Sequence, residues 1–324
     1  MFSTTPVLSV TPSQRDAALL PGNRLPIELL QKIILLTTTP TDEHTTLHLS
    51  QVSRIWCIAI IGLTYLFTEA DWNRWPAGLV ELWCERAGAR PLTIRLNTYD
   101  GPPYNGINWT KDAIARFSHR CNVVQLKTLT LNHKVLREVV TILLTAQAPA
   151  LQQLEIFSNA VSIDTFDIYI DSDKMPNLCV LRTQGVIPHI SKPLAGMTEM
   201  EYYVSGLKWW DGLTTALTKL PNLRHLCLRF PQGDCYGFRE DLHIALPSLE
   251  ILELRAIRCE ALSNVRIFFA SAELPKLRLI SLVKIEGECA CRDTIKLLVR
   301  ILSRICSAIL IAWPGTLCTR VKAA

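Results

Sequence analysis

Charge is scarce in this chain: Asp, Glu, Lys and Arg make up 19% of its 324 residues, against 49% apolar. That balance excludes a mainly disordered chain, which would carry more charge and too little apolar surface to fold. Runs of Lys and Arg are missing as well. The 34 basic and 29 acidic residues are spread along the sequence and leave a net charge of +5. With no basic stripe to track phosphates, nucleic acid is not an expected partner. Residues 1–23 contain no apolar core of signal-peptide length, so the eleven cysteines are expected as reduced, packed thiols in a cytoplasmic or nuclear protein. The sequon Asn108-Trp109-Thr110 is then a chance match. Cys289 and Cys291, one residue apart and with no second pair at zinc-site distance, predict no metal site.

Catalytic signatures are also missing. There is no phosphate-cradling Gly-Lys-Ser loop, dinucleotide glycine fingerprint, nucleophile elbow or His-Glu-x-x-His helix. The seven histidines are dispersed, and His225 and His243 stand in or beside repeated segments. The expectation is a chain that is not an enzyme and takes no cofactor. Near the C-terminus, residues 292–313 read as an apolar helix interrupted by Arg300 and Arg304, too short for a membrane span of about 20 residues. This segment is expected to close the end of the fold, with no membrane as partner.

What the sequence does contain is a repeat. A strand-like segment with apolar residues at relative positions 1, 4 and 6 occurs seven times. The copies are Leu126/Leu129/Leu131, Leu151/Leu154/Ile156, Leu178/Leu181/Thr183, Met197/Met200/Tyr202, Leu223/Leu226/Leu228, Leu249/Leu252/Leu254 and Leu277/Ile280/Leu282. Their starts are separated by 25, 27, 19, 26, 26 and 28 residues. In five copies a proline stands two residues ahead (Pro149, Pro176, Pro221, Pro247, Pro275), stopping a helix and extending the chain. Helical stripes precede several strands, at Leu136/Val139/Val140/Leu143/Leu144, Leu213/Leu217/Leu220 and Leu262/Val265/Phe269. Pro91–Leu96 is an earlier, irregular copy, with a helix at Leu79, Leu82 and Trp83 ahead of it. From about Leu92 to Leu282 this pattern resembles leucine-rich repeats, which implies an α/β solenoid of parallel strands alternating with helices. An ordinary α/β domain with βαβ units is the other reading of the same alternation.

The N-terminal part follows a different period. Residues 1–23 read as a tail. Leu25-Pro26-Ile27-Glu28-Leu29-Leu30 opens an amphipathic helix continuing through Ile33 and Ile34, with Pro26 at its start and Glu28 in its first turn. Asp42 or Thr41 is placed to cap a second helix with apolar positions Leu47, Leu49, Val52, Ile55 and Trp56, and a third apolar run spans Ile58–Phe67. Leu-Pro-x-Glu-Leu-Leu, a spacer, then Leu-x-Leu-x-x-Val-Ser-Arg-x-Trp resembles the F-box family over residues 24–72. That resemblance implies docking on the Skp adaptor of a cullin ligase core. The docking surface and its support would be Leu25, Pro26, Ile27, Glu28, Leu29 and Ile33, with Leu47, Leu49, Val52, Ser53 and Trp56. Physical reasoning concurs, because three short helices in about 50 residues enclose little core and direct an apolar face outward. A cap shielding the first repeat is the alternative.

The chain is thus expected to comprise a tail (1–23), an F-box-like all-α module (24–72), a leucine-rich-repeat-like solenoid with a C-terminal capping helix (73–313) and a second tail (314–324). Its expected role is substrate recognition for a Skp–cullin–F-box type ubiquitin ligase, with an unknown protein as target. A repeat scaffold with a degenerate F-box and no ligase role is the alternative, and an enzyme built on a divergent α/β domain is a further rival. Strand alternation turns positions 3, 5 and 7 of each copy outward. The expected target-binding residues there are Phe157, Arg182, Glu199, Glu201, Tyr203, His225 and Arg229.

Overall fold

Pro26, with φ −54°, stands at the N-cap of α1 (Ile27–Thr37), and Glu28 lies in its first turn. Leu30 and Ile34, one turn apart, are buried. Thr38 ends the helix in an extended conformation, its hydroxyl donating to the Ile34 carbonyl at 2.7 Å. Asp42 caps α2 (Glu43–Ser50) by accepting from the Thr45 N–H at 3.1 Å. The sequence pattern carries one helix on to Trp56, but the structure breaks it. The Gln51 and Val52 N–H groups close short turns back to His48 and Leu49, and Ser53, fully extended, is the N-cap of α3 (Arg54–Ile61). A 3₁₀ turn at Thr64–Phe67, β1 (Glu69–Asp71) and α4 (Ala77–Arg86) follow.

The structure is a computed structural model that describes residues 25–72, 75–97, 106–128, 133–158, 166–203, 207–229, 243–255, 265, 268–269, 271–283, 308–312 and 319–322. The chain divides into one unit of residues 1–70 and 78–90 and another of 71–77 and 91–324. In the first, Leu30, Ile34, Ile60, Leu66, Phe67 and Trp83 form the core, with Phe67 edge-to-face on Trp83 at 4.7 Å. The buried face of α4 is Val80, Trp83 and Cys84, while Leu82 is exposed. The sequence stripe of Leu79, Leu82 and Trp83 is therefore rotated by one residue: Val80 and Cys84 flank Trp83 at helical spacing as well as the leucines do.

The second unit contains the helices α5 (Gly106–Phe117), α6 (His133–Thr145) and α7 (Leu207–Leu217). Its strands are β2 (Leu92–Asn97), β3 (Cys121–Thr128), β4 (Gln153–Ser158), β5 (Phe166–Ile170), β6 (Val180–Gln184), β7 (Val186–Ile190), β8 (Glu199–Tyr203), β9 (His225–Arg229), β10 (Ile244–Ala245), β11 (Ile251–Arg255), β12 (Ala272–Glu273), β13 (Leu279–Val283), β14 (Ala308–Ala312) and β15 (Thr319–Lys322). This is a mixed α/β architecture. One open sheet runs β2-β3-β4-β6-β8-β9-β11-β13-β14-β15, parallel except at the β14–β15 edge, and helices alternate with several of its strands. The two C-terminal strands correct an expectation. Ala308–Ala312, read from sequence as the end of a capping helix, is a strand paired with β13, and Thr319–Lys322, read as tail, is its antiparallel neighbour. A five-residue run as apolar as Ala-Ile-Leu-Ile-Ala suits a central strand as well as a helix, and pairing decides between them. Residues 292–307 lie outside the described residues.

Register turns the sequence repeat into rows. Leu154, Leu181, Met200, Leu226, Leu252 and Ile280 are successive partners across the sheet, as are Ile156, Thr183, Tyr202, Leu228, Leu254 and Leu282. The first copy is out of phase with the expected Leu126/Leu129/Leu131. Pairing aligns Val124 with Leu154 and Leu126 with Ile156, so that copy is Cys121/Val124/Leu126, all buried. Leu129 and Leu131 lie outside the described residues. Ile94 and Leu96 then pair with Val124 and Leu126, which brings the irregular Pro91–Leu96 copy into line. Thr183, the polar member of its row, is buried beside its larger register partner Tyr202, and its hydroxyl has no hydrogen-bond partner among the described residues.

Before six of the strands the same turn recurs: Leu151, Leu178, Met197, Leu223, Leu249 and Leu277 each donate their N–H to the carbonyl three residues back. Pro149, Pro176, Pro221, Pro247 and Pro275 occupy the second turn position, where a fixed φ is already correct. Asn177 and Asn222 tie turn to turn, donating to the carbonyls of Pro149 at 2.7 Å and Ala195 at 2.9 Å. The 19-residue interval is explained by what fills it. Between β6 and β8 the chain crosses on β7, paired with β5 in a small parallel sheet, whereas the β3–β4 and β8–β9 intervals carry α6 and α7. Gly185 (φ +75°) makes the turn from β6 into β7, and a Cβ there would stand 2.8 Å from the Ser158 carbonyl oxygen. No helix among the described residues is long and apolar enough to cross a membrane.

Candidate functional site

The expected target-binding residues converge on one face of the parallel sheet. Strand alternation places three rows there. The first contains Gln153, Val180, Glu199, His225 and Ile251; the second Glu155, Arg182, Glu201, Cys227 and Glu253; the third Phe157, Gln184, Tyr203, Arg229 and Arg255. These charges do not stand free as a grid. Arg182 reaches Glu155 at 2.5 Å and Glu199 at 2.7 Å, with Glu201 at 3.8 Å. The Nε of Arg229 lies 2.5 Å from Glu201, without the alignment of a hydrogen bond. Arg255 grips Glu253 through two hydrogen bonds of 2.6 and 2.8 Å. Gln153 donates to Glu155 at 2.6 Å.

Electrostatics follow from this pairing. The imidazole of His225, 3.7 Å away, and then the Arg255 guanidinium hold the Glu253 carboxyl at about 2, against the opposing effect of burial. Burial, with Glu201 adding to it, pushes the Cys227 thiol up to about 12, so it stays protonated and unreactive. The Tyr203 phenol is also raised, chiefly by burial. In the third row the rings of Phe157 and Tyr203 meet edge-to-face at 6.5 Å. Lys127, the β3 partner of Phe157, lies 5.4 Å over the Phe157 ring, and Arg229 lies 5.3 Å over Tyr203. Sequence reading found these residues but missed Lys127, because the first copy was read out of phase.

The expected adaptor-binding residues sit on the small helical unit. Pro26, Glu28, Leu29, Ile33 and Val52 are exposed, Val52 by 53%. Leu25, Ile27, Leu47, Leu49, Ser53 and Trp56 are half-buried. Helix α3 packs against both α1 and α2, so these positions belong to one small body. The exposed apolar surface is larger than the sequence motif: Leu35, Ile58, Ile61 and Tyr65 are exposed too, and Leu36 is 86% exposed. Periodicity alone signals Leu35 and Leu36, since they fall off the Leu30/Ile34 stripe.

A further feature was not legible in the sequence because segments far apart in the chain build it. A cleft of about 350 Å³ beside α6 and β5 is lined by Thr141, Leu144, Asp167, Tyr169, Lys174 and Ser191 among others. At its edge Tyr169 stacks on His189 at 5.0 Å, and His189 lies 3.3 Å from Asp167. No protein-family model matches the chain, and comparison with curated proteins likewise gives no match.

Proposed function

We propose that the chain is the substrate-recognition adaptor of a Skp–cullin–F-box type ubiquitin ligase: the small helical unit holds the Skp adaptor, and the strand face of a leucine-rich-repeat-like solenoid holds a target protein. The observation that carries this reading is the apolar surface left in water at Pro26, Leu29, Ile33 and Val52. Covering such surface yields about 25 cal/mol per Å², and a monomer of this size has little reason to leave it bare. Support for stacked repeats comes from the in-register rows, the recurring turn and the Asn177 and Asn222 links between turns.

A second reading is favoured by one observation. The apolar surface continues past the motif to Leu36, Ile58, Ile61 and Tyr65, which suits an interaction scaffold whose degenerate F-box meets a different partner. Co-purification with the Skp adaptor separates the two. The wild-type chain is expected to recover the adaptor, and a variant with Leu25, Pro26 and Ile33 replaced by Asp is expected to lose it while keeping its circular dichroism. Recovery undiminished in the folded variant would sink the F-box reading, and a wild-type chain that recovers none would overturn the ligase role.

A further inference from the structure

Opposite charges on the strand face lie at different depths. The side chains of Glu155, Glu201 and Glu253 are 6 to 15% exposed, whereas those of Arg182, Arg229 and Arg255 are 28 to 34% exposed. Glu199, at 30%, is the exception, and it stands in the first row, away from Arg229 and Arg255. An approaching molecule therefore meets cations with carboxylates beneath them. The third row is the extreme case: Lys127, Phe157, Gln184, Tyr203, Arg229 and Arg255 stand along it and no carboxylate does.

Two donors in that row have no hydrogen-bond partner among the described residues. Nε is the Arg229 atom nearest Glu201 and the guanidinium lies over the Tyr203 ring, while its terminal amino groups form no hydrogen bond among the described residues. The same holds for the Tyr203 hydroxyl. A guanidinium held by its Nε side still offers its other edge to a carboxylate, and here Glu201 and the Tyr203 ring fix its plane in advance. Beside it, the half-buried Phe157 ring supplies apolar surface.

We propose that this row binds an acidic segment of a partner protein. A Glu or Asp carboxylate accepts from the terminal amino groups of Arg229 and from the Tyr203 hydroxyl, and a neighbouring apolar side chain lies against Phe157. The inference rests on the reading of the strand face as a protein-binding surface and adds the chemistry of what it takes. A basic segment would meet Arg229 and Arg255 before it reached the carboxylates. Single-stranded nucleic acid needs open ring faces for stacking, and Lys127 and Arg229 already cover a face of each ring.

The test uses the full chain and fluorescein-labelled 12-residue peptides of Glu, Leu and Gly, with counterparts carrying Gln or Lys in place of every Glu, plus a 12-nucleotide single strand of DNA. Anisotropy is expected to rank the Glu peptide first, with its affinity falling several-fold between 50 and 300 mM salt as screening shortens, roughly from 14 to 6 Å. Arg229→Gln should weaken it by about tenfold or more, and Tyr203→Phe by about threefold to tenfold. Because Arg229→Gln also removes the nearest cation from Glu201, Arg229→Lys and Tyr203→Phe are the variants that keep the fold safe; they should lose affinity in proportion to the donors removed. No Glu-peptide binding, equal or tighter binding of the Lys peptide or the DNA, or Glu-peptide binding indifferent to all three variants would each overturn the inference. Its failure is distinct from failure of the functional reading. Cellular targets lost on combining Phe157→Ala, Tyr203→Ala and Arg229→Ala, with no Glu-peptide binding, leave a strand-face receptor and overturn only the acidic segment. Glu-peptide binding without adaptor recovery supports the acidic segment and overturns only the ligase role.

Discussion

The two units leave different things unfinished at their surfaces. The small helical unit buries its aromatic pair Phe67–Trp83 but leaves Leu36, Val52, Ile58 and Tyr65 in water. The strand face of the larger unit leaves little apolar surface bare, and its charged side chains are paired mainly with one another. A partner of the first gains chiefly by removing apolar area from water, which salt hardly affects. A partner of the second must fit between existing ion pairs and gains by orientation and charge, which salt weakens. The contrast teaches that one chain can carry a surface built for adhesion and another built for discrimination, and each can be probed by the substitution that matters most to it.

The largest effect is expected in the smaller unit. Trp83→Ala removes a fully buried ring in contact with Phe67 and should cost about 3–5 kcal/mol, a large part of a stability near 5–15 kcal/mol. Denaturant melting and faster hydrogen exchange in α1 and α3 would register it. A loss below about 1 kcal/mol would mean that the helices are not held by this core. In the larger unit Leu226→Ala should cost about 2–5 kcal/mol. Its register partners are Met200 and Leu252, so hydrogen exchange should rise most in β8 and β11 and least in β3. A uniform rise along the sheet would argue for one undivided core instead of stacked repeats.

That row was legible in the sequence because it obeys one rule six times, and the same regularity led the reading astray where it lapsed. Leu126-x-x-Leu129-x-Leu131 matches the pattern by itself, yet its strand starts at Cys121 and pairs through Val124 and Leu126. Period cannot fix phase when two overlapping matches exist, and only the neighbouring strand selects one. The break before Ser53 was hidden for a related reason, since helical stripes on either side run on without interruption. Ala308–Ala312 was illegible in kind, because a short wholly apolar run carries no period. Of the candidate site, the side-chain identities were readable and their mutual pairing was not. That Arg182 would meet Glu155 and Glu199 depends on register between segments 17 and 27 residues away.

The second layer offers a sharper test of register. Gly212 on α7 faces Ile187 on β7, where a Cβ would fall 2.2 Å from the Ile187 Cγ2. Gly212→Ala should therefore cost about 1–3 kcal/mol, although in an ordinary helix the same change would stabilise by up to about 1 kcal/mol. Combining it with Ile187→Ala should recover part of the loss. Stabilisation by Gly212→Ala alone would show that α7 does not lie on β7 as described.

The smallest effect concerns the charge pairing itself. Glu253 is held at about 2 by His225 and Arg255, below the ordinary 4.5 of a glutamate. Because the folded value is the lower one, the folded state binds fewer protons than the unfolded state between these limits. The contribution of Glu253 to stability is thus fully present above about pH 4.5 and is lost as pH falls towards 2. Other carboxylates titrate in the same window, so the informative quantity is the difference between the wild-type chain and Glu253→Gln. The full shift would correspond to about 3 kcal/mol, but this group sits at a wetted sheet face where solvent screens the pair, and about 1 kcal/mol is expected. Urea titrations at a series of pH values should show Glu253→Gln less stable than wild type by that amount near pH 6, with the two curves converging as pH falls towards 2. Parallel curves across the whole window would mean that the strand-face pairs form in the structure without contributing to stability. In that case the contrast between the units would lie in apolar exposure alone.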